Sequence, residues 1–294
     1  MVKAIFKNKE QQKQFDEDGF LKIPLLTEEN IAGLKAIFNK YYPNPSADFY
    51  SSSYENDFKT KKEISDSIGN IIVPNLENTF VDFTWFGSAF LSKGNGPRSE
   101  MPMHQDWTIV DETQFIALNI WTPLQDTNDE NGTLEVIRGS HKWHSELRAP
   151  TLPFYYNGYQ DKLKSKLISI PTKATEAIVL NQAVIHYSKA NKTNDTRLAI
   201  TTGLKSKDAP MIFHYWNKEE PHVIEQFNQE DDFLIRFTNF HTSIFQRPTL
   251  GVSMGKKPFY PGKMNAEEVD RIIMQQDPAS KKTLFQKIAQ WAKK

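Results

Sequence analysis

Between residues 79 and 205 the chain consists of short apolar or alternating segments, each followed by residues that favour turns. Most are about five to ten residues long, and glycine, proline, asparagine or aspartate separates them. They are TFVDFTWFGSAFLSK, HQDWTIV, QFIALNIWTPL, TLEVIRGSH, KLISIPT, EAIVLNQAVIHYS and RLAITTGLK. Short segments at this spacing are typical of an antiparallel sandwich or barrel, so we expect a β core over roughly 78–205.

Helical patterns flank this region on both sides. KEQQKQFDED predicts a short polar helix that ends at Gly19, and Thr27 opens a second helix, TEENIAGLKAIFNKYY, with one apolar face. A third helix is expected around 59–68. At the other end, NAEEVDRIIMQQ and SKKTLFQKIAQWAKK both have apolar residues three and four apart. We therefore expect a single domain over 1–294 that is mainly β with flanking helices.

The composition excludes several classes of function. Lysine plus arginine equals aspartate plus glutamate, 36 against 36, so no overall field attracts nucleic acid or an anionic membrane. There is no cysteine, which excludes disulfides, thiolate metal sites and cysteine nucleophiles. The first residues, MVKAIFKNKEQQKQF, lack the apolar core of a signal peptide, and no apolar run approaches the roughly 20 residues that span a bilayer. We expect a cytoplasmic globular protein.

The triplet His104-Gln105-Asp106 is a candidate for part of a metal site. On a β-strand, residues two apart point to the same face, so an imidazole and a carboxylate would lie side by side. Two histidines and one carboxylate form the facial triad of non-haem Fe(II) oxygenases, which leaves coordination positions open for substrate and oxygen. Taken alone, however, a His-x-Asp triplet is more often unrelated to metal.

His186 is the best candidate for the third ligand. It ends the apolar segment AIVLNQAVIH, and a barrel strand would deliver it to the mouth of the barrel. The other histidines fit less well, because they follow a Gly-Ser turn or lie in polar or mixed segments: His141, His144, His214, His222 and His241. A histidine that closes an apolar strand is more often hydrogen-bonded at the edge of the core.

Arg197 lies eleven residues after His186 on the next apolar segment, TRLAIT. A buried arginine requires a bidentate anionic partner. A dicarboxylate cosubstrate that chelates iron at one end and meets Arg197 at the other would provide that partner. An ordinary structural ion pair is the alternative.

With these residues identified, the chain resembles the phytanoyl-CoA dioxygenase family of Fe(II)- and 2-oxoglutarate-dependent oxygenases. The resemblance covers roughly 80–204, with a weaker match in FDEDGFLKIPLLTEENIAGL. Four motifs carry it in the expected order: HQD at 104–106, NIWTPLQDTNDENGTLEVIRGSH at 119–141, IHYSKANKT at 185–193 and TRLAI at 196–200. It implies that the β core is a double-stranded β-helix, a jelly roll similar to that of the cupins.

The resemblance implies three iron ligands, His104, Asp106 and His186, and it implies 2-oxoglutarate and O2 as cosubstrates of Fe(II). The expected reaction is hydroxylation of an unactivated C–H bond of a small organic metabolite, with release of succinate and CO2. Related halogenases replace the carboxylate ligand with a small residue, so Asp106 favours hydroxylation over halogenation. Desaturation, epoxidation and cyclisation at the same site remain open alternatives.

Three further residues are implied to contact the cosubstrate. Arg197 would pair with the distal carboxylate of 2-oxoglutarate, and Ser188 would assist with its hydroxyl. Trp121 stands where the family has a tryptophan lining the cosubstrate pocket. Plain core packing is an alternative for Trp121 and is compatible with that role.

Contacts with the substrate are expected from outside the triad. Two segments, APTLPFYYNGYQDK (149–162) and PNPSADFYSSSYEND (43–57), are aromatic and rich in turn residues, as a lid or pocket wall would be. Packed surface loops are the alternative. No basic cluster suits the phosphates of coenzyme A, so we expect a small metabolite, free or attached to a carrier protein. Two rival classes are a metal-dependent jelly-roll enzyme without oxygen chemistry and a non-catalytic ligand-binding jelly roll.

Overall fold

The computed structural model describes residues 4–144 and 147–275, and these residues form thirteen β-strands and seven α-helices. The strands are β1 (Phe20–Pro24), β2 (Phe49–Ser51), β3 (Phe83–Lys93), β4 (Met101–His104), β5 (Ala117–Pro123), β6 (Glu135–Val136), β7 (Ile168–Ser169), β8 (Glu176–Asn181), β9 (His186–Ser188), β10 (Arg197–Ser206), β11 (Met211–Trp216), β12 (Val223–Gln229) and β13 (Val252–Pro258). The helices are α1 (Lys9–Asp18), α2 (Glu28–Tyr41), α3 (Phe58–Leu76), α4 (Gln160–Lys164), α5 (Phe233–Arg236), α6 (Phe240–Ser243) and α7 (Ala266–Gln275).

Two antiparallel sheets form the core. The larger has the strand order β1-β8-β5-β10-β3-β2, and the smaller has the order β4-β9-β6-β7. One hydrophobic cluster joins them, because it contains Trp121 and Ile178 from the larger sheet and Val136 from the smaller. This pair of sheets confirms the expected jelly-roll core with flanking helices.

The outer face of the larger sheet is covered by helices. Successive side chains of a strand point to opposite faces, so Ile120 and Ile200 belong to the cluster that contains Leu34 of α2 and Ile68 of α3. Trp121, one residue after Ile120, turns instead towards the smaller sheet. The alternation leaves the inner face of β5 and β10 for the functional site.

The two N-terminal helices have the boundaries that their sequences predict. Helix α1 is followed by Gly19 at φ 80°, a left-handed conformation that glycine adopts without a steric penalty. Helix α2 begins after Thr27, whose side chain and that of Asn30 each accept from the other's backbone N–H.

Helix α3 is longer than the predicted 59–68, because it continues through Pro74. The apolar residues keep a four-residue spacing to its end and are buried: Ile64, Ile68, Ile72 and Leu76. Pro74 lies on the exposed side of the helix. Burial of the opposite face outweighs the loss of one backbone hydrogen bond at the proline.

A third sheet, β11-β12-β13, extends beyond the predicted β core. Its outer strand β13 is exposed at every position, so it lacks the alternation by which the other strands are recognised. Helix α7 confirms the pattern in NAEEVDRIIMQQ, whereas the last predicted helix, 280–294, lies outside the described residues. In the described part of the chain, no helix has the length and apolar character needed to span a bilayer.

Candidate metal and cosubstrate site

His104, Asp106 and His186 lie together at the end of the smaller sheet. One ligand atom from each lies within 4.8 Å of those of the other two. Oδ1 of Asp106 is 3.8 Å from Nε2 of His104 and 3.8 Å from Nε2 of His186. Two imidazole nitrogens and one carboxylate oxygen therefore converge on one point, and this donor set suits a divalent transition metal such as Fe(II).

The two histidines are brought together by strand pairing. His104 on β4 and His186 on β9 are direct partners in an antiparallel ladder, so their side chains project from the same face. The expectation that His186 ends a long apolar strand is wrong. Strand β8 stops at Asn181, the chain turns over 182–185, and His186 opens β9. This turn moves the chain from the larger sheet to the smaller one, which places His186 opposite His104.

Asp106 is oriented by side-chain contacts and not by the strand. The sequence placed it on the same strand as His104, but β4 ends at His104. Nδ2 of Asn119 donates to Oδ2 of Asp106 at 2.9 Å, and Nε of Arg148 donates to the backbone oxygen of Asp106 at 2.7 Å. Thr201 Oγ1 in turn donates to Oδ1 of Asn119. These contacts leave Oδ1 of Asp106 facing the imidazoles.

Both imidazoles present Nε2 to the common point. Nδ1 of His104 lies 2.7 Å from the oxygen of Pro102, and Nδ1 of His186 lies 3.0 Å from the oxygen of Val184. A carbonyl oxygen can only accept, so Nδ1 carries the proton and Nε2 keeps its lone pair. The side chain of His104 is 35% accessible, yet desolvation by the surrounding protein and the proximity of His186 lower its pKa below the usual value of a histidine.

A cavity of about 380 Å³ opens beside these residues. Its volume is within the range of small-molecule sites. All six site residues predicted from the sequence line it: His104, Asp106, Trp121, His186, Ser188 and Arg197. The metal-binding donors and the side chains expected to meet the cosubstrate therefore share one cavity.

Arg197 is a buried cation with unused donors. It is 1% exposed, and neither its Nε nor its Nη1 has a hydrogen-bond partner in the described part of the chain. The guanidinium carbon lies 5.3 Å from the ring centroid of Trp121, and burial lowers the pKa of Arg197 to about 9. An unpaired buried charge is costly. Arg197 thus fits the carboxylate of a bound dicarboxylate, and no structural ion pair occupies it among the described residues.

Lys93 is a second buried basic residue next to Arg197 and was not predicted from the sequence; burial and the neighbouring Arg197 lower the pKa of Lys93 to about 6. The two residues are partners in the β3–β10 ladder. Nζ of Lys93 donates to the backbone oxygens of Ser188 and Lys189 at 2.8 and 2.6 Å. These bonds tie β3 to the segment that carries Ser188, and Lys93 does not line the cavity.

The other histidines lie outside the site. Nε2 of His141 is 3.2 Å from the backbone oxygen of Asp16, beside α1. His214 was expected in a polar or mixed segment, but it is buried on β11. Burial lowers the pKa of His214 to about 4.

One of the two predicted substrate-contacting segments lines the cavity. Segment 43–57 contributes Phe49, the serines at 51–53 and Tyr54. No residue of 149–162 lines the cavity; Tyr156, for example, packs in a cluster with Val269 of α7. Its place is taken by the segment 233–240, which contributes Leu234, Ile235 and Phe240. That segment, FLIRFTNF, is aromatic but contains neither glycine nor proline, so its sequence does not have the turn-rich character expected of a wall segment.

Comparison with known proteins identifies the family of the chain. The family model for phytanoyl-CoA dioxygenase (PhyH) matches residues 15–199. The phytanoyl-CoA dioxygenase domain-containing protein 1 homolog of Dictyostelium discoideum is 29% identical over 135 residues, which are 43% of this chain and 48% of that protein. The phytanoyl-CoA dioxygenase domain-containing protein 1 of Danio rerio is 31% identical over 126 residues, 39% of this chain and 42% of that protein. The chain thus matches about half the length of these curated relatives.

Among solved structures, that of EvdMO1 has a TM-score of 0.50 and 21% identity, over 66% of this chain and 49% of that one. This likeness concerns the fold alone. The family match extends over more than half of the sequence, from the end of α1 to the start of β10. The chain therefore belongs to the phytanoyl-CoA dioxygenase family of non-haem iron and 2-oxoglutarate-dependent oxygenases.

Proposed function

We propose that the protein is a dioxygenase that hydroxylates an unactivated C–H bond of a small organic metabolite, free or attached to a carrier protein. The overall reaction consumes 2-oxoglutarate and O2 and releases succinate and CO2, with one oxygen atom entering the substrate and the other entering succinate. One observation carries the proposal: a converging His-Asp-His set and a buried guanidinium without a protein partner line the same cavity.

Each residue has a defined part in this proposal. His104, Asp106 and His186 hold Fe(II), which when bound activates O2 at the expense of 2-oxoglutarate. Arg197 binds the distal carboxylate of 2-oxoglutarate, and Trp121 packs beside the guanidinium. The Ser188 hydroxyl, also in the cavity wall, assists at that carboxylate.

Hydroxylation is preferred because Asp106 supplies the carboxylate ligand that halogenating relatives lack. Desaturation, epoxidation and cyclisation would use the same residues, so product analysis distinguishes them. The small volume of the cavity and its scarcity of cationic side chains argue against coenzyme A esters as substrates.

The test is the weak visible charge-transfer band that Fe(II) and 2-oxoglutarate give when both are bound without oxygen. We expect the wild-type protein to show it. His186→Ala should abolish it through loss of iron, and Arg197→Ala should shift it to much higher 2-oxoglutarate concentrations. His222→Ala is the matched control, because His222 lies outside the cavity. A folded wild-type protein without the band would refute the proposal.

Succinate release then separates the rival classes. A metal-dependent isomerase or hydrolase on the same core would turn over its substrate without consuming 2-oxoglutarate. A non-catalytic jelly roll would release no succinate with any metabolite. The proposed dioxygenase should release succinate slowly with poor substrates and faster, in step with product, with a good one.

A further inference from the structure

The cavity contains one cation that the proposed reaction does not use. Lys61 of α3 lines the cavity and is only 5% exposed. Its Nζ donates to the backbone oxygen of Phe237 at 2.8 Å. Among the described residues no carboxylate forms an ion pair with it. Since an ammonium has three donor hydrogens, two of them are left without an acceptor in the described part of the protein.

An aromatic wall connects the candidate metal site to this lysine. Trp107 directly follows Asp106 and stacks on Phe240, with the ring centroids 5.7 Å apart and the planes at 16°. Nζ of Lys61 lies 5.5 Å from the centroid of the same Phe240 ring. Tyr54 also packs against Phe240, with a centroid separation of 5.7 Å. A flat or apolar molecule can lie along this wall with one end at the metal and the other at Lys61.

The charged side chains that line the cavity indicate which group the bound molecule carries at the end near Lys61. The net charge of the cavity wall depends on the side chains of His104, Asp106, His186, Arg197 and Lys61. The first three belong to the metal, and Arg197 belongs to 2-oxoglutarate. Lys61 remains as a single positive charge. Burial lowers its pKa to about 8, with Glu55 acting in the opposite direction, so the ammonium form still prevails at neutral pH.

We propose, on the basis of the dioxygenase function above, that the substrate bears one carboxylate and that this carboxylate binds Lys61. The body of the substrate then lies along Trp107 and Phe240, and the reacting carbon lies beside the triad. A single lysine matches one negative charge, whereas a phosphate dianion would bring a second negative charge for which the described residues of the wall hold no further free cation. Neutral and cationic metabolites leave the buried ammonium unpaired and are therefore rejected.

The experiment compares carboxylic acids with their primary amides, which have a similar shape and no charge. The pairs are benzoate and benzamide, 3-phenylpropanoate and 3-phenylpropanamide, and octanoate and octanamide. Each is titrated without oxygen into the protein loaded with Fe(II) and 2-oxoglutarate, and binding is followed as a change in the charge-transfer band. We expect at least one acid to bind about tenfold or more tightly than its amide.

Variants assign that preference to the lysine. Lys61→Met should remove the difference between acid and amide, and Lys61→Arg should retain most of it. The matched control is Lys205→Met. Lys205 is also buried and also donates to a backbone oxygen, that of Ala209 at 2.7 Å, but it does not line the cavity. This control should leave the preference unchanged.

Three results would overturn the inference. One is equal binding of acid and amide in every pair by the wild-type protein, a comparison that does not depend on any variant folding. Another is a preference that persists in Lys61→Met. The last is a loss of 2-oxoglutarate affinity in Lys61→Met as large as that in Arg197→Ala, because Lys61 would then serve the cosubstrate. Failure of the dioxygenase function is recognised separately, since the band would be absent before any acid is added.

Discussion

Asn119 donates to Oδ2 of Asp106 at 2.9 Å, and the other oxygen of that carboxylate, Oδ1, faces the two imidazoles. Because β4 ends before Asp106, no ladder determines the direction of this carboxylate. Asn119 sits on β5 in the larger sheet and is itself held by the hydroxyl of Thr201 on β10. The larger sheet therefore orients the one candidate ligand that the smaller sheet does not hold.

Substitution of Asn119 should weaken metal binding without loss of a ligand. We expect Asn119→Ala to lower the affinity for Fe(II) by about 10- to 100-fold, as is usual for residues that orient metal ligands. Thr201→Val, which removes only the bond to Asn119, should have a smaller effect. Anaerobic competition titrations with a chromophoric chelator measure both. Unchanged affinity in Asn119→Ala would contradict the orienting role.

Arg197→Met should separate stability from cosubstrate binding. The wild-type side chain is buried with two nitrogens unpaired, so an apolar side chain of similar length should stabilise the protein without ligands by about 1–3 kcal/mol. The same variant should lose the stabilisation that 2-oxoglutarate gives to the metal-loaded wild type. Urea denaturation with and without Ni(II) and 2-oxoglutarate measures both effects.

Lys93→Met is the comparison for that experiment. Lys93 is equally buried, but its Nζ has two backbone acceptors. Its replacement should destabilise the protein, since those oxygens would lose their donor. An Arg197→Met protein that is destabilised like Lys93→Met, and still protected by 2-oxoglutarate, would show that the guanidinium has a structural partner.

His214 should make the protein sensitive to mild acid. Burial lowers its pKa from the usual value near 6.5 to about 4 in the folded state. Between these values the unfolded chain binds more protons than the folded one, so the free energy of unfolding falls as the pH falls. We expect a loss from this residue of about 2–3 kcal/mol between pH 7 and pH 4.5.

His214→Phe should lack this part of the acid sensitivity. Urea denaturation of both proteins at the two pH values, with EDTA to remove metal, gives the difference. The histidines of the triad are present in both proteins, so their titration cancels in the comparison. Parallel loss of stability in wild type and variant would show that His214 is not held neutral.

The site residues that belong to short sequence motifs could be predicted from the sequence. His104, Asp106, His186 and Arg197 lie in short motifs whose order and spacing match the family, and the structure gathers them in one cavity. The means by which they meet could not be predicted. Strand β4 ends at His104 and a turn precedes β9 because of pairing between distant segments. The alternation of apolar and polar residues within one segment does not predict such pairing.

The residues of the proposed substrate wall could not be predicted from the sequence for the same reason. Lys61 lies in a helix whose pattern indicates only a buried face, and the contact of that face with the cavity is a matter of tertiary packing. Phe240 lies in a short helix with no strong local signal. The mainly β class, by contrast, follows from the short alternating segments, whereas the jelly roll was implied by the family resemblance. A single domain over 1–294 stays a prediction.

The cavity wall contains residues from inside the family match and residues from beyond its end at 199. The three candidate ligands and Arg197 lie within the family match at residues 15–199, whereas Leu234, Ile235 and Phe240 lie beyond its end. In the proposed function, the metal and cosubstrate residues therefore lie inside the family match, whereas part of the wall proposed to contact the substrate lies beyond it. We therefore expect substitutions at Leu234, Ile235 or Phe240 to change which metabolite is accepted more than they change the binding of Fe(II) or 2-oxoglutarate.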